Sequence, residues 1–94
     1  MNQHEEEQRG RSAREVIESP LFREAFDKLR AGIVDKWRAC PVRDLEGQHE
    51  LKLMDKLLAD VEKYLKDIID TGKMAEIQIE RDAKIAQLRK AGIR

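Results

Sequence analysis

The side chains able to do chemistry in this 94-residue chain are few and far apart. Cys40 is the single cysteine, and His4 and His49 are the two histidines. A reactive thiol needs a lowered pKa, from a helix N-terminus or a nearby cation or imidazole. Cys40 stands before Pro41, at the expected C-terminal end of a helix, where the dipole disfavours a thiolate. Arg38 and Arg43 flank a turn, and His49 is nine residues on. Cys40 therefore reads as a small apolar residue closing a corner rather than a nucleophile. His49 has Glu46 and Glu50 beside it but no second histidine or cysteine at ligand spacing, and His4 falls in the polar N-terminus. Carboxylates are abundant, as they must be where 40% of residues are charged, and no apolar pocket flanks a pair of them to raise a pKa. There is no Gly-rich phosphate loop, no HExxH and no GxSxG. The chain is expected to be no enzyme, with no catalytic residue, no cofactor and no metal.

The elements that carry these residues read as helices. "MNQHEEEQRGR" (1–11) is polar and reads as a flexible tail, followed by a single small helical domain over 12–94. "SAREVIE" can add a turn or two, with Ser12 and Glu15 as a capping box. Ser19 and Pro20 then suit the N-cap and N1 positions of a helix over about 20–40. Its apolar stripe is Phe22, Phe26, Leu29, Ile33, Trp37 and Cys40, spaced 4, 3, 4, 4 and 3. Trp37 suits either the core or a contact with a partner. A second helix over about 44–71 opens at Asp44 and carries Leu51, Met54, Leu58, Val61, Leu65 and Ile68, spaced 3, 4, 3, 4 and 3, a coiled-coil seam widened by Leu57, Tyr64 and Ile69. Gly72 can take the left-handed C-terminal conformation and start a third helix over about 73–91; the alternative, a run straight through Gly72, stays open.

The expected fold is all-α: an antiparallel hairpin with coiled-coil-like packing and a third, C-terminal helix. Its core would be Phe22, Phe26, Leu29, Ile33 and Trp37 against Met54, Leu58, Val61, Leu65 and Ile68. The third helix is less cleanly patterned, so Ile77, Arg81, Ile85, Leu88 and Arg89 are the candidate partner-binding residues.

Charge and composition bound the partners. The chain holds 19 basic and 19 acidic residues, and this balance argues against a dedicated nucleic-acid binder. "RKAGIR" is basic, but Glu80 and Asp82 interrupt the approach to it and no aromatic is available there for base stacking. Residues 19–40 have five basic and three acidic side chains, and residues 41–72 five and eight, so opposite charges favour pairing of the first two helices. No apolar run approaches the ~20 residues needed to cross a membrane, and the N-terminus lacks the apolar stretch of a signal peptide. A hairpin this size holds little core, so a homo-oligomer or a dock on a larger protein is expected.

"SPLFREAFDKLRAGIVDKWRACPVRDLEG", "LKLMDKLL" and "IIDTGKMAE" resemble a group of small proteins of tailed bacteriophages. The shared features fall on Pro20, Leu21, Phe22, Trp37, Pro41, Arg43, Asp44, Glu46, Thr71, Gly72, Lys73 and Ala75, within a match over roughly residues 12 to 80. Such proteins tend to be encoded among structural and packaging genes. The resemblance implies a structural or assembly role in the virion, at the head or head–tail junction, located in the virion or host cytoplasm. A small phage inhibitor of a host or defence protein is the second expectation, and a nucleic-acid accessory protein the third.

Overall fold

A computed structural model describes residues 1–92 of the chain. Three helices, α1 (Gln3–Glu18), α2 (Pro20–Ala39) and α3 (Leu45–Lys90), make the fold all-helical, and α1 packs against α3. Each boundary has a local cause. Asn2 caps α1: its side-chain oxygen accepts from the Glu5 N–H at 2.9 Å, and Glu5 and Glu6 place negative charge at the positive end of the dipole. Ser19 caps α2, its hydroxyl accepting from the Phe22 N–H at 3.5 Å with Pro20 behind it. At the other end, Cys40 is extended (φ −68°, ψ 128°), the conformation a following proline favours. Asp44 caps α3 by accepting from the Gly47 N–H at 2.8 Å. A Cβ on Gly47 would run into the Asp44 carboxylate, so the glycine leaves the cap its room. Gln48 ties down the corner, its amide donating to the carbonyls of Pro41 at 3.3 Å and Val42 at 3.1 Å.

The structure corrects the sequence reading at three places. The supposed tail 1–11 is helical from Gln3, and Ser12 lies inside α1 rather than capping it. No break occurs at Gly72: α3 runs through 46 residues, so the expected helices over 44–71 and 73–91 are one. The left-handed glycine is Gly92, at φ 73°, just past the end of α3. The third helix is thus the N-terminal α1, not a separate C-terminal one. Of the basic end, Ile93 and Arg94 lie outside the described residues.

The chain divides into two compact units. The first joins Met1–Glu15 to α3 from Leu65 onward. Its centre is a pair of glycines. A Cβ built on Gly10 would lie 2.8 Å from the Gly72 Cα, and one built on Gly72 would lie 2.8 Å from the Gly10 Cα. Backbone meets backbone at this crossing, and a side chain on either residue would force the helices apart. Ala13 and Ala75, each three residues on, are buried beside it. This explains the continuity of α3: Gly72 supplies absent bulk at a helix crossing, with helical backbone angles, rather than a left-handed stop.

The second unit is Val16–Tyr64. Here α2 and the first half of α3 form the expected antiparallel hairpin: Trp37 lies near Gln48 and Leu51, and Arg30, midway along α2, pairs with Glu62. Ile33 is the one buried side chain of α2. Phe22 and Phe26 stack along α2 with ring centroids 4.5 Å apart, tilted by 32°.

Candidate interaction surface

Among the described residues the buried hydrophobic set is Ala13, Ile33 and Ala75, and no large side chain is fully buried. Two helices cover only one stripe on each other, and the apolar faces here are wider than one stripe.

The expected hairpin core is therefore only partly a core. Ile33 is buried, and Phe22, Phe26 and Leu58 are half-buried. Leu29, Trp37, Met54 and Val61 are exposed, which corrects their assignment to the interior. Trp37 keeps 59% of its surface in solvent. Leu65 and Ile68, half-buried, belong to the first unit rather than to the hairpin; a Cβ on Gly10 would lie 3.2 Å from the Ile68 carbonyl oxygen.

The two flanks of the hairpin differ in chemistry. One is mixed: the Arg30–Glu62 ion pair bridges the helices, and a groove of about 450 Å³ is lined by Val34, Trp37, Gln48, Leu51, Lys52 and Asp55. The other is apolar. Its groove of about 320 Å³ runs between Leu29, Gly32 and Ile33 on α2 and Met54, Leu57 and Leu58 on α3, with Lys28 and Lys36 at the rim. Leu21, Leu53, Val61 and Tyr64 extend the exposed apolar surface along the same two helices.

In the first unit, the residues proposed from sequence as partner-binding lie on the outside of α3: Ile77, Arg81, Ile85, Leu88 and Arg89 are all exposed, as is every residue from 80 to 92. The glycine crossing was not anticipated, although the sequence carries a signal for it. "GRSA" (10–13) and "GKMA" (72–75) repeat the same Gly-x-x-Ala spacing, which places two small residues on one face of each helix.

No side-chain cluster resembling a reaction centre appears among the described residues. No group of three or more His, Cys, Asp or Glu is placed to hold a metal, and His4 and His49 are exposed. Burial pushes the Cys40 thiol pKa up, and the nearby Asp44 carboxylate raises it further by its charge and by accepting the thiol hydrogen at 3.8 Å. A thiol held protonated is a poor nucleophile. No helix among the described residues is long and apolar enough to cross a membrane. Comparison with known protein families, with curated proteins and with solved structures finds no match to this chain.

Proposed function

We propose that this chain is a non-enzymatic structural or assembly protein of a tailed bacteriophage, a helical module that binds copies of itself and a larger virion component. The observation that carries the interaction reading is the missing core: large hydrophobic side chains line both helices of the hairpin, yet none is fully buried. Apolar surface on this scale is stabilised when a partner removes it from water, at about 25 cal/mol per Å². The phage setting rests on the resemblance of the Pro-Leu-Phe start, the Trp37–Pro41 corner and the Thr71–Ala75 segment described above. A tagged chain expressed in the host, together with purified particles, tests it. Stoichiometric presence in the particles supports the virion role. Capture of one host enzyme at equal stoichiometry, with no chain in the particles, replaces it with the inhibitor reading.

A further inference from the structure

We infer that the apolar flank of the hairpin is the self-association surface: a second copy packs there face to face, completing a four-helix bundle around a twofold axis parallel to the helices. This rests on the self-association proposed above and names its site, in α2 and the first half of α3 rather than in the exposed end of α3.

Shape, charge and extent point to a second copy of this chain. Gly32 lies in the middle of α2 on this flank, and a Cβ there would meet nothing within 4 Å. A glycine inside a helix is disfavoured against alanine, and in this protein the other two mid-helix pairing glycines, Gly10 and Gly72, each admit a neighbouring helix. Gly32 offers the same dent with no helix yet in it. Leu57, on the facing part of α3, lines the same groove and stands 63% exposed. An isologous pairing uses both features twice, Leu57 of each copy entering over Gly32 of the other.

Charge fits the same register. Lys28 and Lys36 sit four residues either side of Gly32, while Glu50 and Asp60 sit seven before and three after Leu57, on the same strip of α3. With α2 of one copy antiparallel to α3 of the other, Lys28 faces Asp60 and Lys36 faces Glu50. In the single chain, among the described residues, Lys28 pairs only with the exposed Glu24, at 3.0 Å. Residues 20–39 carry five basic and three acidic side chains (net +2), and residues 45–64 three and five (net −2), so a bundle with each α2 between two copies of α3 alternates in sign. The exposed Leu21, Leu29, Leu53, Met54, Val61 and Tyr64 surround the contact. A face of this length is on the order of the ~800 Å² per partner that a stable interface takes.

The test uses the full chain in sedimentation equilibrium, comparing wild type with Leu57→Asp and Ile85→Asp. A wild-type dimer is expected, with Leu57→Asp weakening it at least ~30-fold and Ile85→Asp leaving it intact. In parallel, a Cys40→Ser, Gly32→Cys chain is mixed with a Cys40→Ser, Leu57→Cys chain and oxidised. The disulfide-linked heterodimer is expected in excess over either homodimer, which reads the register even where Leu57→Asp folds poorly. A wild-type chain at single-chain mass overturns both the self-association reading and this site. A wild-type oligomer that survives Leu57→Asp, is lost in Ile85→Asp and gives no heterodimer leaves self-association standing and overturns the site.

Discussion

Gly10 and Gly72 touch through their backbones, a Cβ on either lying 2.8 Å from the other's Cα. In the middle of a helix each residue costs about 1 kcal/mol relative to alanine. The close approach of α1 to α3 is what offsets that cost. Gly10→Ala should therefore lower stability by roughly 1–3 kcal/mol, the range for overpacking, despite its better helix propensity. Ser12→Ala, on the exposed side of the same helix, should be neutral or slightly stabilising. Urea melts followed by circular dichroism compare the two; a Gly10→Ala chain more stable than wild type would mean that the crossing does not hold the helices together.

Asp44 closes the corner as the N-cap of α3, and Asp44→Ala should cost ~1 kcal/mol. Asp44→Asn, which keeps an accepting oxygen, should lose much less. Denaturant melts of the two variants separate the cap from a general effect of removing charge; equal losses would point to charge alone.

Burial raises the Cys40 thiol pKa, and the same carboxylate raises it further. A raised thiol pKa leaves less thiolate at any given pH. Alkylation of Cys40 near neutral pH should be slower than that of an unfolded cysteine peptide, and Asp44→Asn should speed it. The pH profile of the rate should shift to lower pH in the variant. A wild-type rate above that of the peptide would contradict this account of the corner.

Trp37 is the sole tryptophan and so reports its own surroundings. At 59% exposure on the mixed flank, it should emit as a solvated indole and be readily quenched by iodide. Trp37→Ala should cost less stability than Ile33→Ala, for which about 2–4 kcal/mol is expected from the cavity left in the hairpin seam. A blue-shifted, quench-resistant Trp37 would restore it to the core.

Arg30 and Glu62 bridge α2 and α3 with their side chains partly in solvent. A double-mutant cycle with Arg30→Ala and Glu62→Gln should give a coupling of at most ~1 kcal/mol, shrinking as salt is added. A larger, salt-insensitive coupling would show the pair to be more desolvated than its geometry implies.

The hairpin was legible because its signals are local. Ser19–Pro20, Cys40–Pro41 and Asp44 mark ends by backbone chemistry that neighbouring residues cannot override. Two things were not legible for a shared reason. Gly72 after Asp70–Thr71 looks like a stop until Gly10, 62 residues earlier, is known to lie against it. "MNQHEEEQRG" looks like a tail until Gly10 finds a surface to pack on. Each is decided by a long-range contact that weighs more than local propensity. Spacing marks the apolar stripe as a stripe but does not fix its membership in a core. Leu29, Met54 and Val61 fit the periodicity and still face water, because one neighbouring helix cannot cover so broad a face.

Completion of these helices by a partner copy is tested most directly by the solution mass of the full chain by light scattering, with thermal melts at two concentrations a hundredfold apart. A discrete multiple of 11.0 kDa and a Tm that rises with concentration are expected, because association stabilises the folded form by mass action. A particle of 11.0 kDa with a concentration-independent Tm would contradict it.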